Sequence, residues 1–358
     1  MSKLNFTIYD LVEKGYELGA SDIMLKANQV PYMKQYSSMN PLPGEWAKLT
    51  GDDVMELLKP VMLDKQVRKF DETNEMDLAF VVEGKCRVRT NIYRQRTHAA
   101  AVLRIIPLRI RQLEELGMPA SLSEVTKHRQ GLVLVTGPTG SGKTTTLAAL
   151  LDIINRERNV HIVTIEDPLE IEHPDHQSYV SQREVGIDTD DFIPALRAVV
   201  REAPDVILIG EMRDITTMHT ALTAGETGHL VFSTVHPSSA YETLDRIINM
   251  FPPHEKGFLC QRLANSLRAI IAQKLVPRAD GQGRVVVPEI LICTPTVSKA
   301  IEDGHFGDLY HLMNEGGYWG MQTMNQGLVR YVKAGIVDEP TAIQYAGIVS
   351  ELKQMLRR

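Results

Sequence analysis

An eight-residue segment rich in glycine constrains the fold of this chain more than any other feature. Residues 137–144 read Gly-Pro-Thr-Gly-Ser-Gly-Lys-Thr, which fits the pattern G-x-x-x-x-G-K-[ST]. The apolar run 132–135 precedes this segment, and the helix-forming run 145–154 follows it. A strand that leads through such a loop into a helix predicts an α/β domain. We expect the backbone N–H groups of the loop and the N-terminus of the helix to surround phosphate groups.

The side chains of this loop predict binding of ATP together with Mg²⁺. We expect Lys143 to balance the charge of the β- and γ-phosphates, and the Thr144 hydroxyl to be the metal ligand. The residues expected to hold the nucleotide are consecutive: Gly137, Pro138, Thr139, Gly140, Ser141, Gly142, Lys143, Thr144 and Thr145.

Three further apolar runs predict the other strands of a parallel sheet. They are residues 162–165, 206–209 and 230–234. Strands that are buried on both faces need such continuous runs, and helices separate them along the chain. The predicted α/β core spans residues 131–255.

Acidic residues follow two of these strands and are candidates for catalysis. Glu211 comes after the run 206–209, with Gly210 at the position where such a strand usually ends in Asp. We therefore expect Glu211 to orient or deprotonate the attacking water rather than to bind the metal. Glu166 belongs to an acidic cluster that could bind Mg²⁺ through waters. In both cases an ordinary solvated loop is the alternative.

Two histidines bracket the last of these strands. His229 and His236 are separated by an odd number of residues, so in one strand they face opposite sides of the sheet and a shared metal is disfavoured. His236 falls at the carboxyl end of the strand, where open α/β sheets bind their ligands. It is the better candidate to sense the γ-phosphate, and a structural role stays open for both.

The flanking regions have a different character. Residues 1–104 open with helical spacing and continue with short apolar alternations, which predicts a small α+β domain. Residues 105–130 contain Pro107, Gly117 and Pro119 and are predicted to be a linker. From 256 to 358 we expect a helical region, with helices over residues 256–274, 294–303, 321–334 and 339–355.

Charge and cysteine content limit the environment and the partners. With 39 basic and 45 acidic residues the net charge is −6, which disfavours nucleic acid as a partner. Cys86, Cys260 and Cys293 are far apart and form no paired motif, which is typical of free thiols in a reducing compartment. No apolar run approaches the ~18–20 residues of a membrane span, so a cytoplasmic location is expected.

A strongly basic stretch lies between Gly84 and Leu113, which contains eight Lys and Arg residues and no acid. A solvated strand face explains such a pattern as well as function does. The functional interpretation is that arginines of one subunit reach phosphates bound by its neighbour, since guanidinium groups neutralise charge on the γ-phosphoryl group. The candidates are Arg87, Arg89, Arg94, Arg96 and Arg104.

Several motifs together resemble those of one protein family. GPTGSGKTTT, TIEDPLE, REAPDVILIGEMRD and AGETGHLVFSTVH are similar to the Walker A, Asp-box, Walker B and His-box series of the secretion ATPase superfamily. LRIIP, ELGMP, DRIINMFPP, LANSLRAIIAQKLVP and GMQTMNQGL, with GASDIML near the start, resemble the type IV pilus twitching-motility retraction ATPases of the PilT/PilU type. The resemblance runs from about residue 4 to 350.

The resemblance implies a hexameric motor protein with a PAS-like N-terminal domain, followed by a RecA-like P-loop ATPase domain and a C-terminal helical subdomain. Carried over by position, the resemblance implies three catalytic residues: Glu211 as the catalytic acid, Glu166 of the Asp box and His229 of the His box. The implied function is ATP hydrolysis that drives pilus retraction. The implied partners are the other subunits of the hexamer and a platform protein of the inner membrane, at whose cytoplasmic face the ring associates peripherally.

Three other functions compete with this one. Pilus extension and type II secretion ATPases usually have a longer N-terminal region and a four-cysteine insertion, whereas only Cys260 and Cys293 follow the loop here. A RecA-like nucleic-acid motor has only the basic stretch in its favour. A scaffold that binds nucleotide without hydrolysing it is the third.

One segment departs from the family pattern. Retraction ATPases usually carry AIRNLIREG, whose arginines the resemblance links to retraction rather than to hydrolysis. The aligned residues 296–304 have Ser298 and Glu302 at the two arginine positions. This departure suggests a divergent or PilU-like paralogue that depends on a second retraction ATPase.

Overall fold

The computed structural model describes residues 4–35 and 38–357. The chain divides between Ile110 and Arg111 into two compact units. Within the described ranges, no helix is long and apolar enough to cross a lipid bilayer.

The N-terminal unit is an antiparallel sheet with helices on one face. Its six strands lie in the order β3-β2-β1-β6-β5-β4. The strands are β1 (Asp22–Lys26), β2 (Tyr32–Gln35), β3 (Ser38–Pro41), β4 (Glu75–Val82), β5 (Cys86–Gln95) and β6 (His98–Pro107). The helices are α1 (Ile8–Glu17), α2 (Gly51–Leu58) and α3 (Asp64–Thr73), with a 3-10 turn at Lys59–Val61.

Local sequence signals explain how this unit forms. The Thr7 hydroxyl accepts the Asp10 backbone N–H, and the Asp10 carboxylate accepts the Thr7 backbone N–H, so a capping box starts α1. Along β5, alternate residues from Cys86 to Ile92 are buried. They pack with residues of all three helices in one core. The other residues of β5 therefore point to the opposite face of the sheet.

The C-terminal unit contains a seven-stranded sheet in the order β13-β12-β7-β11-β10-β8-β9. All neighbouring strands are parallel except β13, which runs antiparallel to β12. The strands are β7 (Gly131–Thr136), β8 (His161–Glu166), β9 (Tyr179–Glu184), β10 (Val206–Ile209), β11 (Leu230–Val235), β12 (Leu267–Pro277) and β13 (Arg284–Ile292). The four strands that the apolar runs predicted are confirmed.

Ten helices of the C-terminal unit pack around this sheet within the described residues. They are α4 (Lys143–Glu157), α5 (Phe192–Val199), α6 (Ile215–Glu226), α7 (Ala240–Asn249), α8 (Lys256–Ser266), α9 (Pro295–Glu302), α10 (Leu309–Glu315), α11 (Met324–Lys333), α12 (Glu339–Tyr345) and α13 (Val349–Leu356). Short 3-10 helices lie at Ala120–Lys127, Phe306–Asp308 and Gly316–Trp319.

Two of the predicted C-terminal helices are wrong in extent. The helix expected over residues 256–274 ends at Ser266, and Leu267 begins strand β12. The run from Ala269 to Ala272 is buried throughout and pairs with β7 and β13, which satisfies its backbone groups on both sides. The helix expected over 339–355 is interrupted between α12 and α13 at residues 346–348.

Candidate nucleotide site

The glycine-rich loop lies between β7 and the start of α4, as the sequence predicted. Gly137, Gly140 and Gly142 have φ values of +140°, +77° and +90°, which favour glycine. A Cβ atom at Gly137 would lie 2.5 Å from the backbone oxygen of Gln273. Glycine at position 137 therefore lets the loop follow a path that a larger residue would block. The loop ends at the N-terminus of a fifteen-residue helix.

Lys143 begins α4 and reaches back across the loop. Its Nζ donates to the backbone oxygens of Gly137 at 2.8 Å and Pro138 at 3.1 Å. Burial lowers the pKa of Lys143, and the carboxylates of Glu211 and Glu170 oppose that shift. The next residue, Thr144, is half-buried in the first turn of α4. The cation thus lies among the loop, the end of β10 and the segment after β8.

Gln273 is a site residue that the sequence reasoning missed. It lies on β12, is fully buried, and its Nε2 donates to the backbone oxygen of Ser141 at 2.8 Å. Gln273 Oε1 and Ser141 Oγ are both buried without a hydrogen-bond partner in the described structure. The signal for this role was a polar residue directly after the apolar run 269–272. The helix expected over residues 256–274 would not have brought Gln273 to the loop.

Glu211 follows β10, and its carboxylate contacts a histidine and an arginine. Its Oε1 lies 2.5 Å from His236 Nε2, and its Oε2 lies 2.8 Å from Arg213 Nη2. Burial would raise the pKa of Glu211, but the hydrogen bond from Arg213 and the nearby charges of His236 and Arg213 outweigh burial and lower this pKa. The carboxylate is therefore ionised near neutral pH and can accept a hydrogen bond from water.

The close packing around Gly210 explains why this strand does not end in the usual aspartate. Its backbone N–H donates to the Ile165 oxygen at 2.9 Å. A Cβ atom there would lie 3.2 Å from that oxygen and 3.4 Å from Glu166 Cα. Glycine thus allows the chain after β10 to approach the end of β8 closely, which brings Glu211 and Glu166 to the same edge of the sheet.

Glu166 ends β8 in an environment unlike that of Glu211. It is 7% exposed, and its Oε1 accepts hydrogen bonds from Thr164 at 2.7 Å and Gln182 at 3.2 Å. Burial raises the pKa of Glu166 more than these hydrogen bonds lower it. The site therefore contains two carboxyl groups whose pKa values are shifted in opposite directions, which is typical of groups with different roles.

The two histidines lie at opposite ends of β11. His236 follows the carboxyl end and contacts Glu211, as described above. His229 precedes the amino end, where its Nδ1 lies 3.0 Å from the Ala224 backbone oxygen. Its own backbone oxygen accepts from Gly131 at the start of β7. His229, which the sequence analysis grouped with the catalytic residues, is thus not brought to the edge that holds Lys143 and Glu211.

The five arginine candidates separate into three groups. Arg87, Arg89 and Arg104 share the face of the N-terminal sheet that is opposite its helices. Arg104 pairs with the buried Asp22 at 3.1 Å. Arg94 lies on the other face, where it contacts Asp71 at 3.1 Å and the Phe70 ring. Arg96 is exposed in the β5–β6 turn with φ of +47°.

The loop, the parallel sheet and the carboxylates at its carboxyl edge define this chain as a P-loop ATPase. The model of the type II/IV secretion system protein family matches residues 8–328. The chain belongs to this family.

Curated relatives match the chain over almost its whole length. The type IV pilus retraction ATPase PilT of Pseudomonas aeruginosa is 42% identical over 95% of this chain and 98% of its own length. The type IV pilus ATPase PilU of the same organism is 38% identical over 95% of this chain and 89% of its own length. A crystal structure of the pilus retraction motor PilT with bound ADP aligns with a TM-score of 0.90 and 39% identity. That alignment covers 98% of this chain and all of the other.

Proposed function

We propose that this protein hydrolyses ATP to drive retraction of a type IV pilus, as a homohexamer at the cytoplasmic face of the inner membrane. The observation that carries the proposal is the convergence of Lys143, Glu211 and Glu166 at one edge of the parallel sheet. The end-to-end similarity to PilT supports the retraction function.

The loop fits the phosphates of a nucleotide and a magnesium ion. A Cβ atom at Gly137 would clash with the Gln273 backbone oxygen and the Ser141 hydroxyl, so glycine lets the loop follow this path. Lys143 and the N–H groups at the start of α4 would hold the phosphate oxygens. Mg²⁺, held by the Thr144 hydroxyl, would neutralise charge on those oxygens. The remaining residues from Pro138 to Thr145 would line the path of the phosphates.

Glu211 is the candidate to position and deprotonate water. Its carboxylate is kept ionised by Arg213 and His236, so it can accept a proton from a water molecule directed at the γ-phosphorus. His236 contacts that carboxylate and is therefore a better candidate than His229 to sense the γ-phosphate. Glu166, with its raised pKa, would orient groups at the same edge through its hydrogen bonds rather than compete as a base.

The arginines would act on nucleotide bound by a neighbouring subunit. Arg94 and Arg104 are already engaged by Asp71 and Asp22. Arg89 and Arg96 form no ion pair within the described residues, and Arg89 lies directly opposite Arg104 in the β5–β6 ladder. Two like charges at such a position repel, so an anion supplied from outside this unit would relieve them. We therefore favour Arg89 and Arg96 as the trans-acting residues.

Dependence on a second retraction ATPase is a further part of this proposal, and it rests on α9. Ser298 Oγ donates to the Ala264 backbone oxygen at 2.6 Å, so this side chain faces α8. Glu302 is exposed beside Lys299. The charge reversal at 302 would therefore alter how the motor meets the inner-membrane platform protein, and the second ATPase would supply that contact.

Deleting the gene and imaging the pili tests whether this protein retracts or extends the pilus. Retraction predicts surplus pili that do not shorten, and the wild-type gene restores shortening while Lys143→Ala does not. Loss of pili would instead support the extension function. Retraction restored by this protein alone, in a strain that lacks every other retraction ATPase, would contradict the dependence on a second ATPase.

A further inference from the structure

Two exposed aromatic side chains of the C-terminal unit form a pair. Tyr318 is 91% exposed and Trp319 is 59% exposed. Their rings contact each other edge to face, with centroids 5.2 Å apart. Large aromatic side chains that are exposed together are typical of binding hot spots.

The turn that carries this pair is held in place by the residues that follow it. Gly320 ends the 3-10 helix with φ of +78°, and a Cβ atom there would lie 2.7 Å from Ser121 Oγ. Gln322 then exchanges two backbone hydrogen bonds with Ile290 of β13, at 2.7 and 3.1 Å. The aromatic pair is therefore displayed by a backbone fixed against the sheet. Such preorganisation lowers the entropy cost of binding a partner.

The charge around this turn indicates what kind of partner fits. Between Ile301 and Met321 the chain has four acids, two histidines and no Lys or Arg. Lys299, just before this stretch, pairs with Glu302 and Asp303, and His311 lies 3.2 Å from Glu315, so the acids still outnumber the lysine beside them. Two of the acids, Asp308 directly before α10 and Glu315 at its end, are exposed just before the turn. Carboxylates attract cationic side chains, and the faces of Trp and Tyr rings bind Lys and Arg by cation–π interaction. Anionic lipid would be repelled by the same acids.

We propose that Tyr318 and Trp319, with Asp308 and Glu315, form a docking surface for a Lys- and Arg-containing segment of another protein. The aromatic rings would receive the side-chain stems and cationic heads of that segment. The carboxylates would set its orientation. None of these four residues belongs to the nucleotide site described above, so loss of this surface should leave ATP hydrolysis intact.

A peptide-binding experiment tests the surface. The probe is a short peptide in which Lys and Arg alternate with Ala, and the reference is the same peptide with Glu in place of the basic residues. We expect the full-length protein to bind the basic peptide. Trp319→Ala with Tyr318→Ala should weaken that binding by about tenfold, as at an aromatic hot spot. The ATPase rate of the doubly substituted protein should be unchanged.

Matched variants distinguish this proposal from its alternatives. Tyr179→Ala removes another exposed aromatic, at 65% exposure on edge strand β9, and should leave peptide binding unchanged. Glu315→Gln with Asp308→Asn should weaken binding of the basic peptide. Four results would overturn the proposal: binding unaffected by loss of the aromatic pair, equal binding of the acidic peptide, tighter binding to phosphatidylglycerol vesicles than to the basic peptide, or loss of the oligomer on removing the pair. The last result would assign the surface to a second copy of this chain.

Discussion

The Gln273 side-chain amide donates to the backbone oxygen of Ser141 over 2.8 Å, and this bond ties strand β12 to the phosphate-binding loop. The two residues are 132 positions apart in the chain. Because Gln273 is fully buried, water cannot replace it as a donor to the loop. The bond makes β12 a support for the nucleotide site.

Gln273→Leu should therefore weaken nucleotide binding while the fold survives. The Ser141 oxygen would lose a buried donor, which costs about 1–3 kcal/mol. A loss of about 1 kcal/mol at the loop corresponds to roughly fivefold weaker ATP binding. Titration with a fluorescent nucleotide and thermal unfolding would measure the two effects. Gln282→Leu, the same change at an exposed turn, is the control. Unchanged ATP affinity in Gln273→Leu would remove this positioning role.

Lys143→Ala and Glu211→Gln should separate binding from turnover. Without the ammonium group, the loop N–H groups alone cannot balance a polyanionic ligand, so Lys143→Ala should not bind ATP. Glu211→Gln keeps size and reach but loses the base, so ATP should bind while turnover falls by about 10²–10⁴. Nucleotide titration and phosphate release measure these outcomes. Equal loss of binding in both variants would contradict the assigned roles.

Gly210→Asp, which restores the usual strand-ending acid, should impair this protein. Its Cβ would crowd the Ile165 oxygen and Glu166 Cα, and such overpacking costs about 1–3 kcal/mol. Denaturant unfolding and the ATPase rate should both decline. Gly257→Asp is the control, since a Cβ at Gly257 meets no atom within 4 Å. A Gly210→Asp protein with wild-type stability and higher activity would refute the close-approach argument.

Arg213→Ala should change the pH dependence of turnover. Arg213 supplies a hydrogen bond and a charge that lower the pKa of Glu211, while burial acts to raise it. Without Arg213 the pKa of Glu211 rises, so Glu211 becomes protonated at higher pH. The acid limb of the kcat–pH profile should therefore move to higher pH. Arg278→Ala breaks an exposed pair with Asp280 of similar length, 2.8 Å, and should leave the profile unchanged. An acid limb that stays in place would show that Glu211 is not the titrating base.

Mixing two inactive variants should restore activity if arginines act between subunits. An Arg89→Ala, Arg96→Ala subunit keeps its loop, and a Lys143→Ala neighbour keeps its arginines, so mixed rings contain complete sites. Lys143→Ala mixed with Glu211→Gln is the control, because both of those residues lie on the loop-bearing subunit. ATPase activity recovered only in the first mixture is expected. Full activity of a dilute monomer would also exclude trans-acting arginines.

Much of the site could be predicted because its chemistry is encoded by consecutive residues. The loop from Gly137 to Thr144 contains its own glycines, cation and hydroxyl, and the flanking runs specify a strand and a helix locally. The buried strands around it need long apolar runs, which are equally visible in sequence. The same reasoning identified Glu211, because an acid directly after a buried strand must lie at the edge of the sheet.

The tertiary structure alone decided which distant groups meet. The position of His236 at the carboxyl end of its strand was visible in the sequence, but only the pairing of β10 with β11 brings it into contact with Glu211. The apolar run after Ser266 has no period that separates a buried strand from a buried helix, and its pairing with β7 and β13 resolved it. That pairing also places Gln273 beneath the loop. Consecutive residues thus determined the chemistry of the site, whereas the order of the buried strands within the sheet determined its geometry.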